Sequence, residues 1–170
     1  MPDIPEAVPA SSQSDGRWRI TAVPTGSNAL SVAILKGSTS TPITYGFTGD
    51  GWNHTVSQDT VADPRLTLIQ DLSRPGKVKE ELQTKVVASS DVKSADQILL
   101  ALSISGAETQ FNVRRAVNNE TDFATGQIAD VVTGVVGVRR PNAPAANGVD
   151  TAEYTIFITK PTQRQQALVA

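Results

Sequence analysis

Apolar and polar positions alternate with a period of two along most of the chain, the pattern of half-buried strands. In RWRITAV, residues 17–23, Trp18, Ile20 and Ala22 fall on one side. NALSVAILK, residues 28–36, does the same with Leu30, Val32 and Ile34, and TPITYGFT, residues 41–48, with Ile43, Tyr45 and Phe47. Three short strands in succession are predicted. Gly49-Asp50-Gly51 then predicts a turn, after which Trp52, His54 and Val56 alternate as a partner strand to residues 43–47.

The next stretch, RLTLIQDLSRPGKVKEELQTKVV, is more charged. Leu66, Leu68 and Leu72 share one side, with Arg65, Thr67, Ile69 and Asp71 on the other. Arg74-Pro75-Gly76-Lys77 predicts a type II turn, since proline presets φ at the second position and glycine accepts positive φ at the third. Beyond it, Val78, Leu82 and Val86 fit a helical stripe as well as one face of a strand, and Glu81 with Lys85 fits a helical ion pair. The turn decides for a strand, because a tight reversal brings antiparallel neighbours together. Residues 65–87 therefore read as a long hairpin with one apolar and one charged face.

One segment breaks the two-residue period. Ser94 and Gln97 have capping-box spacing, Gly106 follows as a stop, and Ile98, Leu99 and Leu102 share a helical face, so a helix is predicted over about 95–103. Strand patterns return with Phe111, Val113 and Val117. They continue in the valine-rich run QIADVVTGVVGVRR, where Gly134 and Gly137 suit bulges or close contacts. After the loop PNAPAANGVD, a last strand carries Tyr154, Ile156 and Ile158. Residues 1–16, rich in proline and serine, and residues 161–170 lack a sustained pattern and read as extended arms. The fold class is mainly β: a β-sandwich or barrel over residues 17–160 with one flanking helix and two terminal arms.

Composition narrows the function classes. A chain of 170 residues with 39% hydrophobic content suits one domain with a real core. A net charge of −2 argues against a dedicated nucleic-acid binder, and the adjacent pairs Arg114-Arg115 and Arg139-Arg140 point to opposite faces of a strand rather than forming one patch. There is no cysteine, no signal-peptide pattern and no apolar run of membrane-spanning length, which leads to the expectation of cytosolic assembly without membrane insertion. The two Asn-X-Thr patterns, at Asn53 and Asn119, matter only in a secretory pathway.

No catalytic, cofactor or metal site is predicted. His54, the single histidine, has no nucleophile or ligand motif around it and reads as a satisfied or interfacial side chain. Asp50, Asp59 and Asp63 lack the ligand spacing of a calcium loop, and Gly134 and Gly137 lie in a strand pattern with no following helix, so they do not make a dinucleotide fingerprint. Glu80 and Glu81 alternate faces beside Lys79 and Lys85, a solvated or interfacial charge pattern rather than an acid–base pair. Trp18, Tyr45, Trp52 and Tyr154 sit beside apolar neighbours and read as core. What stands out is a charged hairpin between flexible arms, a costly liability in a monomer unless intermolecular pairing is intended.

The stretch PTGSNALSVAILKGSTSTPITYGFTGDGWNHTVSQDTVADPRLTLIQDLSRPGKVKEEL, with FNVRRAV and QIADVVTGVVGVRRPNAPAANGVDTAEYTIFITKP later, resembles the major tail proteins of long non-contractile-tailed bacteriophages, especially those of actinobacterial hosts. The resemblance spans about residues 17–162 and rests on order and coverage; DPRLTLIQDLSRPGKV and RRPNAPAANGVDT are its most telling parts. It implies a tail tube protein, a β-sandwich or barrel with a flanking helix, assembled in the host cytoplasm on a tape measure protein. It further implies stacked hexameric rings, capped by tail terminator and tip proteins, with transient, non-specific passage of double-stranded DNA through the lumen. On that reading the hairpin contacts a neighbouring subunit, with Leu66, Leu68 and Leu72 as anchors. Arg74, Lys77, Lys79, Glu81 and Lys85 would line the lumen or read an adjacent ring. The runner-up is a capsid decoration or receptor-binding module of the same β class.

Overall fold

The computed structural model describes residues 11, 13–65, 70, 72–144 and 146–170. Among the described residues, nine antiparallel strands form one sheet: β1 (Arg19–Pro24), β2 (Thr41–Pro42), β3 (Phe47–Asp63), β4 (Leu72–Val87), β5 (Glu108–Arg114), β6 (Ile128–Val136), β7 (Arg140–Pro141), β8 (Thr151–Ile158) and β9 (Gln163–Ala167). Their order is β2-β1-β5-β6-β8-β4-β3, with β7 beside β8 and β9 beside β6. The sheet forks at β6, which pairs β9 through residues 128–131 and β8 through residues 134–136. Past the fork it folds back on itself, so that Trp52 of β3 packs edge-on against Phe111 of β5 with ring centroids 5.8 Å apart.

Two cores result. The first, enclosed by the fold-back, joins Ile20, Phe111, Val113, Val132, Leu82, Val86, Tyr154 and Ile156 and is closed by helix α2 (Ala95–Ser105) through Leu99. The second lies on the other face of β1, β5 and β6. There Val23, Ala129 and Val131 meet Leu35 of the short helix α1 (Val32–Lys36), Phe123 and Leu168. Both faces of β6 are therefore buried, which explains why its sequence is a near-continuous valine run rather than a strict alternation.

Helix α2 begins and ends as expected. The Ser94 side chain accepts from the Gln97 amide at 3.3 Å, and Gly106 takes the left-handed φ of 62° that stops the helix. Gly134 and Gly137 are close-contact glycines: a Cβ on Gly134 would meet the Phe157 carbonyl at 2.5 Å, and one on Gly137 the Thr155 carbonyl at 2.8 Å.

Several expected elements differ. Residues 32–36 are helical, with Leu35 as the buried contact, because a run this short fits either period. Thr44–Gly46 forms a 3₁₀ turn, which leaves Tyr45 85% exposed instead of in the core. Gly49-Asp50-Gly51 is an irregularity inside β3, between the pairs Phe47↔Val86 and Trp52↔Thr84, so residues 52–56 continue the strand rather than return along it. Arg74-Pro75-Gly76-Lys77 lies within β4 opposite β3, so it is not the turn of the hairpin. The segment expected as a C-terminal arm carries β9, docked on β6, and Leu168, which is 1% exposed.

Two buried ionic arrangements fix loops to this frame. Asp96, fully buried on α2, accepts from Arg139 Nε at 2.9 Å and Nη2 at 2.8 Å, from Tyr154 Oη at 2.7 Å and from the Ser89 amide at 3.2 Å. The Arg139 bonds hold its carboxyl below the ordinary range against the opposing effect of burial, while burial pushes the Tyr154 hydroxyl up. Arg114, also fully buried, donates to the carbonyls of Asn118, Thr121 and Asp122 and to Gln127 Oε1, and lies over the Phe123 ring. Arg115, just past the end of β5, is exposed, so the two do not form one basic patch.

Candidate subunit interface

β3 and β4 are much longer than the body they rise from. β4 pairs β8 through Leu82–Val87, so among the described residues its strand neighbour from Leu72 to Glu81 is β3 alone. At roughly 3.3 Å per residue, the stretch from Val56 to Asp63 extends about 25 Å beyond the folded core. Leu82, Thr84 and Val86 point into the core. Farther out, Val56, Val61, Leu72 and Val78 are 41–53% exposed. An isolated two-stranded ribbon is marginal in water, and this one presents apolar side chains along it.

The Pro-Gly pair shapes the ribbon without turning it. Gln58 opposes Val78 and Thr60 opposes Pro75, so the single residue Asp59 faces both Gly76 and Lys77. That is a β-bulge on β4, where proline's missing N–H is tolerated. A Cβ on Gly76 would stand 2.8 Å from the Asp59 carbonyl, so the bulge requires glycine by close approach. The extra residue also reverses the alternation. Leu72 and Arg74, opposite Asp63 and Val61, come onto the same side as Lys79 and Glu81.

The expected interface residues fall as follows. Leu66 and Leu68 lie outside the described residues. Leu72 is 41% exposed at the far end of β4, and Arg74 pairs with Asp63 at 2.9 Å. Lys77 is exposed at the bulge; Lys79 approaches Asp59 at 3.7 Å. Glu81 is exposed, and half-buried Lys85 lies directly across from Glu153 of β8. Val78, expected on the apolar face with Leu82 and Val86, keeps that side but is 51% exposed, because the body ends before it.

Lys79, Glu81, Gln83 and Lys85 share their side with Asn53, Thr55 and Ser57 of β3 and Glu153 and Thr155 of β8. Each of these is exposed or half-exposed. This three-strand face is polar, and its charges alternate in sign, with Glu153 registered between Lys85 and Arg140.

Glu80, on the opposite face, ties the hairpin root to the end of the chain. Its carboxylate accepts from His54 Nε2 at 3.2 Å, from Arg164 Nη2 at 2.6 Å and from Thr162 Oγ1. Beside it, a cleft of about 520 Å³ is lined by Trp18, Trp52, His54, Arg115, Asp130 and Arg164. His54 is thus a tethering side chain. Nothing in the sequence signalled the clasp, because Thr162 and Arg164 are more than 80 positions from Glu80. Among the described residues, no three His, Cys, Asp or Glu side chains group to hold a metal ion, and no helix is long and apolar enough to cross a membrane.

No curated protein matches the chain. Among solved structures, a chain of the cryo-EM structure of the anti-feeding prophage baseplate, 6-fold symmetrised, matches with a TM-score of 0.63 and 9% identity, covering 97% of this chain and 100% of that one. That likeness establishes the fold. The family model for phage tail tube protein matches residues 5–170, nearly the whole sequence, and on that match the chain belongs to the phage tail tube protein family.

Proposed function

We propose that this structural tail protein closes into hexameric rings that stack into the hollow tube of a long, non-contractile phage tail, through which the genome passes into the host. The observation that carries this reading is the β3–β4 hairpin, which extends past the core with a free strand edge and one uncovered polar face. An unpaired edge of this length invites a partner strand, and a head-to-tail contact between identical copies closes into a ring when the rotation fits. The baseplate that contains the solved neighbour was symmetrised six-fold, which supports six as the number.

The polar face gives the ring a suitable wall. Paired charges of opposite sign and amide and hydroxyl side chains offer phosphates no concentrated positive field, and a net charge of −2 per chain makes the ring mildly repulsive to DNA. A conduit with such a wall lets its cargo slide. The same reading assigns assembly to the host cytoplasm on a tape measure protein, with terminator and tip proteins at the ends.

Negative-stain electron microscopy of the purified protein over a concentration series tests it. Six-fold rings or hollow filaments are the expected result. Compact trimers without a lumen would overturn the reading in favour of a decoration or receptor-binding role.

A further inference from the structure

We infer that Asn147 is a site of spontaneous chemical modification, ageing from amide to a mixture of aspartate and isoaspartate while the chain stays folded. The proposal is independent of the ring reading. Asn147 is followed by Gly148, the one Asn-Gly pair in the sequence. It lies at a left-handed φ of 58° in the exposed loop between β7 and β8.

Among its described residues, the loop is anchored at its ends. The Asn142 amide donates to the Thr151 carbonyl at 3.0 Å, and the Asp150 carbonyl accepts from Ala88 at 2.8 Å. Among the described residues, the Asn147 side chain and the Gly148 amide take no hydrogen bond. The turn is therefore free to rotate out of its left-handed geometry and bring the two reacting groups together.

The chemistry needs only water. Hydroxide removes the Gly148 amide proton, and that nitrogen attacks Asn147 Cγ. A C–N bond forms, the side-chain amide leaves as ammonia after taking a proton from water, and a five-membered succinimide remains. Water then adds to one of its two carbonyls. One opening gives aspartate; the other gives isoaspartate, in which the backbone runs through the side-chain carbon. Glycine promotes the step because no Cβ shields the attacking nitrogen and its backbone visits most conformations. No other asparagine is followed by glycine, and four of them are also held by their side chains. Asn112 is buried and bonded to the Ala29 carbonyl, Asn28 and Asn118 accept from backbone amides of their own turns, and Asn142 is held by Thr151 and Glu153. Each product adds one negative charge to the chain.

The test is incubation of the full chain at mildly alkaline pH, with peptide mapping by mass spectrometry and enzymatic methylation of isoaspartate. The peptide carrying Asn147 is expected to gain the mass of an amide turned to an acid and the isoaspartyl label, well ahead of every other asparagine. Gly148→Ala, with a circular dichroism spectrum like that of the parent, is expected to slow the conversion severalfold. An unmodified Asn147 while another asparagine converts first, or an unchanged rate in Gly148→Ala, would overturn the assignment.

Discussion

Glu80 and Asp96 are carboxylates on which separate parts of the chain converge. Burial works against the Glu80 charge, but the bonds from Thr162 and Arg164, the Arg164 charge and the bond from His54 outweigh it and hold the carboxyl below its ordinary value. Asp96 is lowered chiefly by Arg139. A folded-state pKa below the unfolded one means stability that is present above the unfolded value, about pH 4, and lost as pH falls through the folded value. Asp96→Asn leaves half-buried Arg139 without its charged partner and is expected to cost about 1.5–3 kcal/mol at neutral pH. It also flattens the acid side of the stability curve, which urea titrations between neutrality and acid pH read directly. Glu80→Gln keeps the shape but weakens three bonds at once, for an expected cost of about 1.5–3 kcal/mol. Hydrogen exchange checks where that loss falls, with faster exchange expected in β9 and the hairpin root and unchanged rates in α2.

The elements differ in how far local sequence determines them. Helix α2 was legible because its cap, its stripe and its stop all lie within thirteen residues. Alternation located parts of β3 and β4, at residues 52–56 and 78–86, but not their pairing: Pro75-Gly76 has the same chemistry in a turn and in a bulge, and read as a turn it paired residues 78–87 with 65–72. Only the partner decides between them, and here Asp59 sits across from Gly76. Tyr45 and residues 32–36 misled for a related reason, since a few alternating residues fit a strand, a helical turn or a 3₁₀ turn until packing selects one. The bulge carries its own prediction. In Gly76→Val the added carbon meets the Asp59 carbonyl, so the hairpin must shift register beyond the bulge. Leu82–Val86, six or more residues away, keep their place in the core. Thermal melting of the body is expected to stay close to that of the parent, and electron microscopy is expected to show rings and tubes lost. Tubes of normal length from this variant would show that the distal hairpin does not set the contact between copies.

At the scale of the whole molecule, the sheet has two buried faces, and the second one depends on the end of the chain. Alternation predicts one buried side per strand, so only β6 signals a second core, through its unusual hydrophobic density, while β5 alternates strictly and nothing local says what covers its polar side. The cover comes from distant segments: Leu35 of α1, Phe123 from the loop that Arg114 gathers, and Leu168. The Leu168 backbone donates to the Gln127 carbonyl and accepts from Gly126, while Val169 exchanges bonds with Leu30 and Val32. A free arm has no such bonds, and its side chains are exchangeable at little cost. Leu168→Ala distinguishes the two situations. Truncating a side chain that is 1% exposed is expected to cost about 2–5 kcal/mol, a large share of the 5–15 kcal/mol typical of a domain. The same change at exposed Gln166 is expected to cost less than about 0.5 kcal/mol. If both variants unfold at the parent's denaturant midpoint, the last residues are a dispensable arm. If Leu168→Ala alone shifts the midpoint, the end of the chain is part of the body, and it reaches the hairpin through Arg164 and Glu80. The ribbon that extends toward a neighbouring copy is then held at its root by the same segment that closes the second core.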